Sequence, residues 1–307
     1  MGHFTATMLV WRHYYFLHTA SIVWNKLVRM SNGNRPGKVK EFLDIMYQNL
    51  PGVLGVTTLG TQIESIISRL KPDVLFIGEA DSDLVRTVCP DGYVWVGGNL
   101  KAKKEEIRVP VLVNDKIPFK QFKIDTQVPA VGLKIGEWKL VGIYREWALC
   151  GDQTTKSREL QVNRLQNFVD YWLTLKGKGV CLGDFNFDPF PTTEYQKGLE
   201  PIRTLVNNII LPVGWRQLIR GETRFEADVT PSLLDHIYVN QVDCTSRTWN
   251  ENVTGYDHNL VGVRVKSQGV IFKSETFEYR HLKPVTVRPG TATSLMTSTR
   301  RGTHQSL

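Results

Sequence analysis

Apolar residues along the chain fall into two rhythms, one near 3.6 residues and one of short unbroken runs. Val39, Phe42, Leu43 and Met46 lie at i, i+3, i+4 and i+7 and predict a helix; Ile63, Ile66, Ile67 and Leu70 predict a second, closed by Lys71-Pro72-Asp73. Leu165, Phe168, Val169, Trp172 and Leu173 mark a third, longer one. Between them lie β-prone runs bounded by Gly, Pro and charged turns. These are Ser21 to Trp24, Val74 to Ile77, Tyr93 to Val96, Ile107 to Val113, Val128 to Ile135, Lys139 to Tyr144, Val180 to Leu182, Leu233 to Val239 and Leu260 to Val265. Helices and strands alternate at both ends around a mostly β centre. That pattern predicts a layered α/β domain rather than a parallel dinucleotide-binding sheet. No GxGxxG or phosphate-binding loop opens a helix, and no internal repeat is present.

The periodicity fades at the two ends. Residues 1–18 form an irregular extension, 19–283 one domain, and 284–307 a tail rich in Thr, Ser, Gly and Arg. Such a tail has too little apolar surface to offset the entropy of ordering, so it is expected to be flexible and basic. The charged run Leu100 to Glu106 reads as a solvated hairpin tip.

Composition narrows the picture only slightly. The chain has 307 residues, 41% apolar and 22% charged, enough to bury a sizeable core. The formal net charge is +8, which favours an anionic partner such as nucleic acid. Cys89, Cys150, Cys181 and Cys244 are far apart and form no CxxC pair, so a zinc site is not expected and a reducing, intracellular compartment is. Arg12, His13 and His18 interrupt the apolar N-terminal stretch, and neither a secretion signal nor a membrane span is predicted.

Candidate chemistry collects where predicted strands end. Asn25 follows Ile22-Val23-Trp24, Glu79 follows Ile77-Gly78, and Tyr144 and Arg145 follow Gly142-Ile143. Asp184 and Asn186 sit in Leu182-Gly183-Asp184-Phe185-Asn186; Asp235 lies in Leu234-Asp235-His236-Ile237; Asp257-His258 precede the last strand. Each alone has an ordinary account as a turn, cap or half-buried aromatic residue. Together they form an inventory of acids, amides, a His and a Tyr suited to a hard cation and to a phosphodiester whose charge must be stabilised.

In this order, IVWN, IGEA, GIYR, LGDFN, SLLDHIYVN and YDHN resemble the endonuclease/exonuclease/phosphatase superfamily, which includes DNase I and the apurinic/apyrimidinic endonucleases. The resemblance spans about residues 20 to 268. TRFEADVTPSLLDHIYVN, with Thr223-Arg224 ahead of the Leu-Asp-His-Ile run, looks most like the endonuclease domains of non-LTR retrotransposons, and IRVPVLVNDKIPFK, read as a hairpin, looks like that branch too. The resemblance implies a four-layered α-β-β-α sandwich of two mixed sheets, with one cleft built from strand-end loops. It implies Mg2+, with Mn2+ as a substitute, held by Glu79 with Asn25 and Asp257. Asp184 would orient and deprotonate a water, Asn186 would bond the phosphate, and His258, held by Asp235, would donate to a phosphate oxygen. Tyr144 would touch the phosphate or leaving group and Arg145 would bind substrate, while His236 is expected on the opposite face of its strand.

Two departures from the family pattern stand out. Gly78-Glu79-Ala80 replaces the frequent Gln-Glu-Thr, and Tyr256 stands where Ser often precedes the last Asp-His. The expected activity is nicking of DNA, with a reverse transcriptase domain as partner in a longer parent protein and a nuclear location if genomic DNA is the target. The alternatives are a phosphatase or phosphodiesterase of the same superfamily, or a non-catalytic nucleic-acid-binding remnant.

Overall fold

A computed structural model describes residues 39–97, 108–145, 155–190 and 199–271. The irregular extension, the strand expected at Ser21–Trp24, Asn25, the charged loop at 100–106 and the tail lie outside these residues. In chain order the first half contains β1 (Val39–Asn49), α1 (Val56–Leu70), β2 (Val74–Gly78), α2 (Ser82–Thr87), β3 (Tyr93–Val96), β4 (Val111–Asn114), β5 (Lys120–Phe122), β6 (Ala130–Ile135) and β7 (Trp138–Tyr144). The second contains α3 (Thr155–Leu173), β8 (Lys178–Asp184), α4 (Glu200–Leu205), β9 (Arg216–Gln217), β10 (Asp235–Val239), β11 (Thr245–Glu251) and β12 (Leu260–Ile271).

The described strands form two sheets of six, ordered β11-β12-β1-β2-β4-β3 and β5-β6-β7-β8-β10-β9. Both are mixed. Each has a parallel pair at its centre, β1 with β2 and β7 with β8, and its other pairings are antiparallel. A parallel pair needs a long crossover, and the helices α1 and α3 supply them. Leu59, Ile63 and Ile66 of α1 pack on Met46, Leu75, Ile77 and Leu112, the outer face of the first sheet. Leu165, Phe168, Val169 and Trp172 of α3 pack on Val141, Ile143, Cys181 and Tyr238, the outer face of the second. Between the sheets lie Leu43, Ile45, Val74, Phe76, Leu140, Val180, Leu182, Ile237 and Val263. The four layers are therefore helix, sheet, sheet, helix.

Two sequence expectations are corrected. Residues 39–46 are not a helix but the start of β1. Leu43, Ile45 and Tyr47 face the inter-sheet core, while Met46 faces α1 from an outer face that also carries Asp44 and Gln48; Met46, with a register shift between Lys40 and Phe42, interrupts the period-two signature. The expected hairpin at 107–120 is not one over its described residues, 108–120: β4 pairs with β2 and β3, whereas β5 pairs with β6 of the other sheet. A turn closed by Ile117 N–H to Asn114 O at 2.9 Å and anchored by buried Ile117 carries the chain across. Among the described residues no helix is long and apolar enough to cross a membrane.

Candidate active site

The inner faces of both sheets change from apolar to polar at one end, and alternation dictates which residues arrive there. Inward positions Leu43, Ile45 and Tyr47 are followed by Asn49; Val180 and Leu182 by Asp184; and Val239 and Ile237 are preceded by Asp235. Strand register sets Tyr144, Asp184 and Asp235 side by side across β7, β8 and β10, because Tyr144 pairs with Asp184 and Asp184 with Asp235. From the facing sheet, Asn49 Nδ2 donates to Asp184 Oδ2 at 3.0 Å.

His258 completes the cluster just ahead of β12. Its Nδ1 lies 2.8 Å from Asp235 Oδ2, while its main-chain oxygen accepts from Gln48 Nε2 at 3.0 Å. Asp184, Asp235 and His258 each bring one ligand-type atom within 4.8 Å of the others, and all three are at least nine-tenths buried. Burial, with the nearby Asp235 charge, pushes the Asp184 carboxyl up to about 7, against the pull of His258 and the Asn186 amide. Burial draws His258 down, but the charge and hydrogen bond of Asp235, helped by Asp184 and Asp257, outweigh it and raise the imidazole to about 9. A carboxylate poised near neutrality beside an imidazolium is an arrangement for moving protons.

The loop after β8 is held in an uncommon conformation. Asn186 has φ +50°, and its N–H donates to Asp184 Oδ1 at 2.7 Å, closing an Asx turn. Glu79, just beyond β2, has φ +64°. Left-handed non-glycine residues at two strand ends of one cleft mark backbone that the surrounding fold must hold. Arg145 does much of that holding at Asn186. Its Nε and Nη2 donate to the main-chain oxygens of Phe185 and Asn186, Nη1 donates to Gln161 Oε1 at 2.9 Å, and its own oxygen accepts from Asn186 Nδ2 at 2.6 Å. The guanidinium expected to bind substrate is thus only 3% exposed and braces the loop from behind.

Other expected residues are placed as follows. Tyr144 is buried beside Asp184 and Arg108, and its phenol is pushed up by burial and by the charges of Asp184 and Glu79. Glu79 is half-buried and makes no side-chain hydrogen bond among the described residues. Asp257 Oδ2 is 3.4 Å from Arg224 Nε and more open to solvent. Asn25 lies outside the described residues; in them, the asparagine that ends the first strand is Asn49. Sequence reasoning also passed over Arg108 and Gln48. The preceding MYQ obscured Asn49, since IVW ahead of Asn25 imitates a buried strand far better. The Thr223-Arg224 signature acquires a physical role: Thr223 Oγ1 accepts from the N–H groups of Leu234 and Asp235 at 3.0 and 2.9 Å and pins the start of β10.

His236 does face away from Asp235, into the layer under α3. It stacks on Phe185 at 5.0 Å, with Nδ1 3.0 Å from the Tyr238 hydroxyl and Nε2 3.2 Å from Leu233 O. Burial lowers it to about 4. A neutral ring suits these partners, accepting from the phenol and donating to the carbonyl. An unfolded His titrates near 6.5, so the stability this neutral ring contributes above that pH is lost as pH falls toward about 4. His236→Phe should accordingly lose about 2 kcal/mol less stability than the wild type between pH 7 and 4.5, read from urea midpoints.

No protein-family model matches the chain, and no curated protein matches it. Solved structures do. An AP endonuclease from Archaeoglobus fulgidus superposes with a TM-score of 0.55 at 14% identity, covering 72% of this chain and 98% of that one. The 3′-5′ exonuclease NExo from Neisseria meningitidis gives 0.55 at 16% identity, over 73% of this chain and all of its own, 100%. A humanized D. rerio TDP2 gives 0.54 at 13% identity, over 74% and 100%. The two facing mixed sheets, each with a helix crossover outside, are therefore a fold that this chain shares with these solved structures.

Proposed function

We propose that this chain hydrolyses phosphodiesters as a divalent-metal-dependent endonuclease that nicks DNA. The observation that carries the reading is the buried Asp184–Asp235–His258 cluster, tied across the two sheets by Asn49. The formal charge of +8 suits a polyanion. Two structures of similar fold hold DNA, D. rerio TDP2 with a single-strand DNA product and NExo with a product DNA hairpin. The retroelement type rests on the Thr223-Arg224 and Leu-Asp-His-Ile sequence, as does a reverse transcriptase in a longer parent protein.

The donor set fits a hard cation. Among the described residues, Asn49 Oδ1 is buried with no hydrogen-bond partner, and the Glu79 carboxylate at the next strand end makes no side-chain hydrogen bond. A buried unpaired oxygen and a carboxylate at adjacent strand ends are ligand types that Mg2+ or Mn2+ accepts. Glu79 and Asn49 would hold the ion, with Asp257 as an outer acid paired to Arg224. When bound, the ion supplies positive charge that polarises a phosphoryl oxygen.

The protein's own groups do the rest. Asp184 Oδ2, fixed by Asn49, accepts the proton of the attacking water. Asn186, one Nδ2 hydrogen of which goes to the Arg145 oxygen, offers the second to the phosphate. His258, its tautomer set by Asp235, donates from Nε2 to the oxygen on which charge builds, and Tyr144 faces the phosphate or leaving group. The test is nicking of supercoiled plasmid with Mg2+, with EDTA, and by Asp184→Ala. Wild-type nicking that EDTA abolishes, with a loss of at least about a hundredfold in Asp184→Ala, is the expected result. Equal nicking by both proteins refutes it. Binding without cleavage by the wild type would assign the chain to nucleic-acid binding alone, and cleavage only of terminal phosphates or phosphoinositides to the phosphatase branch.

A further inference from the structure

The departure at Gly78 has a structural counterpart on the neighbouring strand. Gly78 sits beside Asn49 in the parallel β1–β2 register, facing the cleft. Its φ is not positive, so its backbone would accept any side chain. What excludes one is Tyr47: a Cβ at position 78 would lie 1.8 Å from the Tyr47 hydroxyl oxygen and 2.6 Å from the ring carbon that bears it. The phenol therefore reaches up from the rung below and fills the volume that a residue at 78 would otherwise occupy. Its oxygen ends among the polar groups of the cleft floor rather than in the apolar core beneath.

That hydroxyl is fully buried and, among the described residues, makes no hydrogen bond of good geometry, although the Asp184 main chain lies beside it. An unpaired buried hydroxyl is a liability for folding, and a Phe of the same shape would avoid it. Hydrogen bonds of catalysis are often unmade in the free protein and tighten only in the reacting complex. Resting on the phosphodiesterase reading above, we propose that Tyr47 is a positioning residue of this site, whose hydroxyl, lodged over Gly78, holds Asp184 in place as it takes the proton of the water that attacks the phosphate.

Tyr47→Phe removes the oxygen and keeps the ring. It should melt at or above the wild-type temperature while kcat for nicking falls about tenfold with KM unchanged, the signature of a contact made in the transition state. An unchanged kcat overturns the proposal, and so does a fall in kcat that merely follows a fall in melting temperature. A second arm reads stability alone. Gly78→Gln should lower the melting temperature by colliding with Tyr47, and Tyr47→Ser combined with Gly78→Gln should recover it by freeing the volume. If Gly78→Gln alone melts like the wild type, Tyr47 does not fill that space and the proposal falls. A wild type that never nicks refutes the underlying reading instead, while the stability arm still decides whether the pair is coupled.

Discussion

His258→Gln is expected to nick DNA about a thousandfold more slowly than the wild type. Gln keeps a donor that can meet Asp235 but carries no proton to share with the phosphate, so the fold is spared and the chemistry is not. The wild-type ring is held protonated up to about 9 by Asp235. The sign is that of a raised base: its contribution to stability is fully present below the unfolded value near 6.5 and is lost as pH rises through about 9. The same proton loss should bring the wild-type rate down across that range. Single-turnover rates from pH 6 to 10, with melting temperatures alongside, check both statements. A variant that keeps wild-type rates would remove His258 from the reaction.

Gly183→Ala is expected to have the largest effect on folding, about 4 kcal/mol or more, seen as loss of soluble protein or a collapsed urea midpoint. Gly183 has φ +148°, and a Cβ there would lie 2.0 Å from the Ile143 carbonyl oxygen. Ile143 and Gly183 are paired in the central β7–β8 ladder, so that oxygen cannot retreat without opening the strand pair that carries Tyr144 and Asp184. Gly142→Ala is the informative comparison. Its Cβ would meet the Phe76 ring at 2.1 Å, a side chain that can turn, and the expected loss is about 1–3 kcal/mol. Equal stabilities for the two variants would mean that the β7–β8 contact is looser than the structure has it.

The signals readable along the chain were mostly local. The α1 and α3 helices, the strands β2, β3, β6, β7, β8, β10 and β12 and the polar residues at their ends were legible, because each rests on a periodicity or a turn within a few residues. GDFN was legible for the same reason: the Asx turn from Asp184 to Asn186 N is made inside the motif. Tertiary structure decided the rest. β1 reads as a helix because Met46 and a register shift between Lys40 and Phe42 interrupt its alternation, so Asn49, which reaches Asp184, does not stand out as a strand-end residue. The contact that identifies Asn49 joins residues 135 apart in sequence and lies between sheets, where no local pattern records it. Arg145 looked like a free charge beside the cleft; only the fold shows its guanidinium capping the carbonyls of the loop from the inside. Alternation along a strand says which residues share a face. Which face closes on which, and hence which polar groups become one site, depends on the packing of the two sheets.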